Sequence, residues 1–159
     1  SRLSRLSSSL LLLAKIENKL LTEQERLDLK QAVEEKASHF QELMQNKGIK
    51  YTQQLQQKEI TMSKYLLDIL LNNLFSNAIR HNYHGGHIHI DLSANELVVL
   101  NTGNENELDH QQVFERFYKN PSSEGMGLGL AIVKQIAALQ NFQISYAYQN
   151  NSHIFTLIF

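Results

Sequence analysis

Apolar residues recur with helical spacing along much of the chain. The first stripe has alternating intervals of three and four residues, as in a heptad repeat, and is interrupted at Glu17. Its members are Leu3, Leu6, Leu10, Leu13 and Leu20. A second stripe follows the capping-box pair Thr22 and Glu25 and stops at the glycine-containing end signal of residues 46–48. Its members are Leu29, Val33, Ala37, Phe40 and Leu43 or Met44. The first stripe is typical of a helical hairpin or dimer stalk, and the second predicts a helix that begins at Thr22.

The period changes to two in five later segments. Alternating apolar and polar residues of this kind are typical of half-buried strands. Segments 87–92 and 96–100 are separated by three residues and therefore predict a hairpin. The predicted strands are residues 49–55 (IKYTQQL), 87–92 (HIHIDL), 96–100 (ELVVL), 142–148 (FQISYAY) and 153–159 (HIFTLIF).

Three further helices complete the predicted elements. Thr61 or Ser63 caps a helix that runs to the turn at residues 84–86, a short helix covers 113–117, and a last one covers 131–140. Helices and hairpins mixed in this order predict an α+β fold, a two-layer sandwich with helices on one face of a mixed sheet.

The third helix carries polar residues along its apolar face. In the stretch LNNLFSNAIRHN (71–82), Asn73, Asn77 and Arg80 fall along one edge of the helical wheel. An amide oxygen there can coordinate Mg²⁺, and the cation one turn later can neutralise phosphate oxygens. The alternative is a pair of core asparagines that are satisfied by the backbone.

Two glycine-containing segments could approach a ligand. Gly125, Gly127 and Gly129 precede the last helix, whose N-terminus has free N–H groups for an anion; a flexible hinge is the alternative. The run is neither a P-loop nor a dinucleotide-binding turn, because no Gly-Lys-Ser/Thr follows it and no strand leads directly into it. Asn101 ends a buried strand before Gly103, and its amide could accept from a base amine or belong to an ordinary turn.

Together these motifs resemble those of a known family. LNNLFSNAIRHN resembles the N box of sensor histidine kinases, NTG a variant of their first glycine box, FERFYK their F box and GMGLGLAIVK their second glycine box. The four motifs occur in the family's order, within a resemblance that covers residues 61–159. It implies the Bergerat ATP-binding fold, shared with gyrase and mismatch-repair ATPases, and ATP and Mg²⁺ as ligands.

The resemblance also implies roles for individual residues. Asn77 would coordinate Mg²⁺ and, with Arg80 on phosphate, form the catalytic pair. Asn73 would lie beside the phosphates and His81 near the nucleotide. Asn101 would receive the adenine amine, and residues 119–124 would form a short lid. The remaining predicted nucleotide contacts are Gly103, Lys119, Gly125, Gly127, Leu128, Gly129 and Leu130.

Three residues depart from the family's pattern. Asn101 stands where an aspartate is usual, Glu105 replaces a glycine, and His81 takes a place often held by tyrosine. Asn73 stands where related ATPases have a general-base glutamate, and an amide cannot accept a proton at neutral pH. The resemblance therefore implies a kinase. The alternatives are a degenerate nucleotide-binding or docking module without kinase activity and an ATPase of the same fold.

The phosphoacceptor histidine of such a kinase is not found in the chain. His39 lies on the second predicted helix without the expected Glu and Pro that would follow it, which indicates a surface residue. We expect residues 1–21 to be the end of the second dimerisation helix and residues 22–159 to be the catalytic domain. The implied partners are the dimerisation and phosphoacceptor domain of a homodimeric parent and the receiver domain of a response regulator.

Composition narrows the partners further. The formal charge of −1 gives no reason to expect a nucleic acid or an anionic membrane surface as a partner. The chain has no cysteine, which excludes disulfides and thiolate metal sites and fits a cytoplasmic domain, whether or not the parent is anchored in the inner membrane. His87 and His89 share a strand face and His84 is near, but no fourth ligand is in view, so an exposed strand face is the better interpretation than a zinc site.

Overall fold

The computed structural model describes residues 2–18, 23–118 and 127–159. The helices are α1 (Arg2–Glu17), α2 (Leu29–Asn46), α3 (Lys64–Arg80) and α4 (Gly129–Leu139). The strands are β1 (Glu25–Asp28), β2 (Lys50–Leu55), β3 (Glu59–Met62), β4 (His87–Leu92), β5 (Glu96–Thr102), β6 (Gln143–Gln149) and β7 (Ser152–Ile158).

Five strands form one mixed sheet in the order β2-β4-β5-β7-β6. Only β2 and β4 are parallel in this sheet, and the other neighbours are antiparallel. In β4 the side chains of Ile88, Ile90 and Leu92 are buried while His87 is exposed, as the period of two requires. Helices α2, α3 and α4 contact the sheet or pack on one another, so the predicted α+β sandwich is confirmed.

The start of the second helix was predicted wrongly. Glu25 begins strand β1, and α2 begins only at Leu29, where the side chain of Asp28 accepts from the backbone N–H of Gln31 at 3.0 Å. Thr22 lies outside the described residues. Strand β1 pairs antiparallel with β3, and neither strand was predicted. Each has only four residues, and a pairing between segments so far apart in sequence overrides the local capping signal.

The predicted short helix at residues 113–117 is also wrong. The segment forms hydrogen-bonded turns, in which Val113 N–H donates to the carbonyl of Asp109 at 2.9 Å. Phe117 has a φ of 63°, which is outside the right-handed helical region, and its N–H donates to the Gly127 carbonyl at 2.7 Å. This contact with a distant glycine fixes a conformation that the local sequence does not specify.

Helix α1 packs against α4 of the same chain. Leu13 and Ile16 are fully buried there, whereas Leu3 at the other end of the helix is 75% exposed. Arg116 forms an ion pair with Glu17 at the end of α1. None of the helices in the described ranges is both long and apolar enough to cross a membrane.

Two groups of hydrogen bonds hold the C-terminal end of α3. Lys47 Nζ donates to the carbonyls of Ile79 at 2.7 Å and Arg80 at 3.1 Å, where the helix leaves acceptors unpaired. Asn82 is buried, and its Oδ1 accepts from the hydroxyl of Thr102 on β5 at 2.7 Å. The end of α3 is thereby fixed against β5, and this positions Asn77, Arg80 and Asn101 relative to one another.

Candidate functional site

A cavity opens between α3, the start of α4, the ends of β5 and β7, and the chain that follows β5. Its empty space, which includes open solvent at the mouth, is about 770 Å³. It is lined by Asn73, Ser76, Asn77, Arg80, His81, Asn101, Glu105, Leu108, Val113, Tyr118, Gly127, Gly129, Leu130, His153 and Phe155. Eight of the residues predicted from sequence are thus brought to one cavity from three distant segments.

The α3 wall presents two amide oxygens. Asn73 Nδ2 donates to the Ile69 carbonyl one turn earlier at 2.8 Å, which leaves its Oδ1 facing Gly129. A side chain at Gly129 would place Cβ 3.0 Å from that oxygen. Asn77 is half-buried, and within the described part of the chain its amide makes no hydrogen bond. Its oxygen is therefore available to a cation or to another donor in the cavity.

The opposite wall is the N-terminus of α4. Leu128 is the N-cap residue, and among the described residues no side chain makes a capping hydrogen bond at this end of the helix, so its first N–H groups can face an anion. Gly127 has a φ of +70°, and a Cβ there would lie 2.7 Å from the backbone of Phe117. Only glycine permits this close approach. Lys119 and Gly125, which were also predicted to contact the ligand, lie outside the described residues.

The floor of the cavity contains a buried amide. Asn101 is 1% exposed, and its Nδ2 donates to the Thr102 carbonyl at 2.9 Å. Within the described part of the chain its Oδ1 has no hydrogen-bond partner. A buried acceptor without a donor costs about 1–3 kcal/mol, so this atom in the cavity wall can accept from a water or from a donor of a ligand.

His81 and Glu105 face each other at the same end of the cavity as Asn101. Burial lowers the pKa of His81, and the nearby Arg80 lowers it further, against the opposing effect of Glu105. His81 is therefore neutral at pH 7. Gly103 and Leu128 are not among the lining residues: Leu128 is buried beneath the cavity, and a Cβ at Gly103 would lie 3.0 Å from both His153 and the His81 carbonyl.

Sequence reasoning missed several residues of this site. Glu105 was noticed only as a departure from a motif, and His153, Tyr118 and Ser76 were not considered. A signal for His153 exists, because the period of two along β7 puts it on the same inward face as Phe155 and Leu157. In the structure His87 is exposed, and His89 is partly buried with its Nδ1 2.6 Å from the hydroxyl oxygen of Thr52.

Acid should destabilise the fold through two histidines. Burial lowers the pKa of both His81 and His153 below the ordinary 6.5. As the pH falls through 6.5, these two histidines bind more protons in the unfolded chain than in the folded chain. Proton binding therefore favours the unfolded state, and the free energy of unfolding decreases as the pH falls from about 7 to 5. Urea unfolding at intermediate pH values measures this slope. The double variant His81→Gln, His153→Gln should flatten this slope, and a slope equal to that of the wild type would contradict the assignment.

Comparison with known proteins decides the family. Residues 62–158 match the family model described as histidine kinase-, DNA gyrase B- and HSP90-like ATPases. The chain belongs to this family. The match covers α3, α4 and the strands that carry the cavity, so the predicted resemblance to histidine kinases is confirmed.

Several members of the histidine kinase-, gyrase- and HSP90-like family are similar over nearly the whole chain. The sensor histidine kinase HprS of Escherichia coli is 31% identical over 98% of this chain and 36% of its own length. The heme sensor protein HssS of Staphylococcus saprophyticus is 30% identical over 100% of this chain and 36% of its own. The chain thus spans about a third of the length of these curated relatives.

Solved structures agree on the fold. The histidine kinase AdeS of Acinetobacter baumannii superimposes with a TM-score of 0.77 at 24% identity, covering 98% of this chain and 77% of that one. Full-length ShkA, determined in complex with AMPPNP, has a TM-score of 0.85 at 21% identity and covers 98% of this chain and 35% of that one. The fold formed by helices α1 to α4 and the mixed sheet is therefore shared with both of these solved structures.

Proposed function

We propose that residues 22–159 are the catalytic ATP-binding domain of a sensor histidine kinase and that residues 1–21 are the end of its second dimerisation helix. The parent protein would transfer the γ-phosphoryl group of MgATP to a histidine of its dimerisation domain. From there the group would pass to an aspartate in the receiver domain of a response regulator. Family membership and the similarity to HprS support this proposal.

The observation that carries nucleotide binding is the unpaired Oδ1 of Asn101 in the cavity floor. Because Nδ2 already donates to Thr102, the side chain offers the cavity an acceptor. The 6-amino group of adenine is a donor that fits this acceptor, whereas a guanine would present a carbonyl oxygen there and repel it. Asn101 would thus select adenine without using a charge.

The phosphates would lie at the other end of the cavity. The uncapped N-terminus of α4 offers N–H groups and the positive end of the helix dipole, and Arg80 supplies a full positive charge. Gly127 and Gly129 leave room there for phosphate oxygens to approach the backbone. The α4 N-terminus and Arg80 would stabilise the negative charge of the phosphates electrostatically, as preorganised groups do in most phosphoryl-transfer sites.

Asn77 fits the role of a Mg²⁺ ligand. Its amide oxygen is a hard neutral donor on the cavity wall, free of hydrogen bonds within the described ranges, and Mg²⁺ binds well to one or two protein oxygens while keeping water and phosphate ligands. When bound, Mg²⁺ would neutralise charge on the phosphate oxygens. Asn77 would hold Mg²⁺ one turn before Arg80. The metal ion and the Arg80 guanidinium would therefore act on the same phosphates.

The acceptor should be an imidazole and not water. In the transfer, a histidine nitrogen forms a bond to the γ-phosphorus, while the bond from that phosphorus to the bridging oxygen breaks and leaves its electron pair on ADP. Water would need a base, and Asn73 cannot accept a proton. Glu105, the one carboxylate among the described lining residues, lies beside His81 and His153 at the adenine end.

The structural neighbours support the same ligands and partners. ShkA was determined with AMPPNP, an ATP analogue, and ThkA, which superimposes with a TM-score of 0.80, was determined in complex with the response regulator TrrA. ThkA is 19% identical and covers 98% of this chain and 47% of that one. We propose a cytoplasmic location for the domain, because ATP is supplied there, with the parent anchored in the inner membrane.

Phosphotransfer in trans tests the proposal. The chain is mixed with the parent's separately produced dimerisation domain and ATP labelled at the γ-phosphorus. We expect label on a histidine, recognised by its stability to base and lability to acid, only when both proteins and Mg²⁺ are present.

The same reaction separates kinase from hydrolase. Steady release of labelled phosphate by this chain alone would contradict a kinase and favour an ATPase. Failure of the chain to bind ATP at millimolar concentration would favour a docking module. Glu105→Gln tests the cavity-lining carboxylate as a base for hydrolysis: phosphate release by the unchanged chain that stops in this variant would identify Glu105 as that base.

A further inference from the structure

Two polar side chains lie among the apolar inward positions of β5 and β7, and they are neighbours. Asn101 on β5 pairs directly with His153 on β7, and the other inward positions of these strands, such as Val99 and Phe155, are apolar. His153 is 4% exposed and lines the cavity beside Asn101. Nothing in the proposed binding of phosphate or Mg²⁺ uses this histidine.

His153 belongs to a continuous series of hydrogen bonds in which the donor and acceptor of each bond can be assigned. Its Nε2 lies 3.0 Å from the carbonyl oxygen of Glu105, which can only accept, so Nε2 carries the proton. Its Nδ1 lies 2.8 Å from the hydroxyl of Tyr146 and, in the neutral ring, accepts from it. The hydroxyl oxygen in turn accepts from the N–H of Leu108 at 3.0 Å. With a neutral imidazole, every group in this series of hydrogen bonds has a single role.

This chain of bonds fastens the segment 105–108 to the sheet. Glu105 and Leu108 stand at its two ends, both line the cavity, and both are held through His153. The imidazole also occupies the space beside Gly103, where a Cβ would lie 3.0 Å from its Cδ2. The position of this wall relative to Asn101 therefore depends on the ring of His153.

We propose that His153 is a positioning residue for the nucleobase: it sets the distance between the wall 105–108 and the amide of Asn101, and so the width of the adenine site. The inference rests on the proposed binding of ATP. Burial lowers the pKa of His153, which favours the neutral ring in which Nδ1 accepts from Tyr146. The charged or titratable groups that face it are Glu105, His81, Tyr146 and Tyr148.

Three substitutions of His153 test this role by the binding of Mg-ADP in calorimetry. Glutamine reaches the place of Nε2 with an N–H donor, asparagine reaches only the place of Nδ1, and leucine fills the space without a donor. We expect His153→Gln to bind within about 3-fold of the wild type, and His153→Asn and His153→Leu to bind about 10-fold more weakly or worse. If only the glutamine variant keeps its affinity for Mg-ADP, the N–H donor matters and not the volume of the side chain, because leucine also fills the space.

The outcomes separate the inference from the function on which it rests. If the unchanged chain binds ADP and all three variants bind it equally, the inference is wrong and the proposed function stands. If the unchanged chain does not bind ADP, both are wrong. Should the His153 variants fail to fold, Tyr146→Phe removes only a hydroxyl from the chain of bonds; we expect it to weaken ADP by about 3- to 10-fold, and unchanged affinity would overturn the proposal.

Discussion

The Asn77→Ala variant is expected to lose Mg²⁺-dependent nucleotide binding while its fold remains intact. Removing residues that only support metal ligands costs about 10- to 100-fold in metal affinity, so loss of the proposed ligand itself should weaken Mg-ATP by about 100-fold or more. The amide is half-buried and unpaired among the described residues, and alanine is the better helix former, so the free energy of unfolding should change by less than about 1 kcal/mol.

Calorimetry with ATP in Mg²⁺ and in EDTA measures this effect. The matched control is Asn72→Ala, because Asn72 is on the same helix, is exposed and does not line the cavity. The Asn72→Ala variant should bind ATP with the affinity of the wild type, both in Mg²⁺ and in EDTA. If Asn77→Ala retained a difference in affinity between Mg²⁺ and EDTA, the proposed metal ligand would be wrong.

The Asn101→Leu variant is expected to lose adenine recognition. Leucine has a similar volume but no acceptor, so the 6-amino group would be buried without a partner, and ATP should bind about 10- to 100-fold more weakly. The stability of the nucleotide-free protein should change much less than its affinity for ATP. The substitution deletes the unpaired Oδ1 as well as the bond from Nδ2 to Thr102, and these opposing effects should leave the free energy of unfolding within about 1 kcal/mol of the wild type.

A second substitution at the same position provides the control. Asn101→Asp keeps an acceptor in the cavity floor and should still bind ATP, but it places a carboxylate beside the carbonyl of Thr102 in a buried site. The free protein should therefore unfold at lower urea concentration than the wild type. Thermal shift with ATP and with GTP completes the test. Equal ATP binding by Asn101→Leu and the wild type would show that the adenine amine is recognised elsewhere.

Both of these predictions concern residues that the sequence identified. Asn77 follows Asn73 by one turn of a strongly periodic helix, and Asn101 ends a strand with clear alternation. Helical and strand periods are local properties, so the side of the element on which each residue lies could be inferred without the structure. The ordered motifs then indicated that α3, β5 and the start of α4 meet at one site, and the cavity contains residues from all three.

The errors have a common physical origin. Strands β1 and β3 have four residues each and pair across the whole of α2 and β2, so the capping pair at Thr22 and Glu25 gave the wrong start for α2. The segment 113–117 is fixed by contacts to Asp109 and Gly127 and not by its own spacing. In each case a partner distant in the chain outweighed the local signal.

The sequence by itself determined the family, the α+β class, most strands and helices, and the polar residues on α3 and β5, because these follow from short-range periods and motif spacing. Tertiary structure alone decided that α1 packs on α4, that Asn101 keeps an unpaired acceptor, and that His153 holds the wall 105–108 through Glu105 and Tyr146. Such features depend on hydrogen bonds and packing between segments tens of residues apart. The periodicity of a sequence reports on neighbouring residues only, so it does not reveal which distant groups become partners.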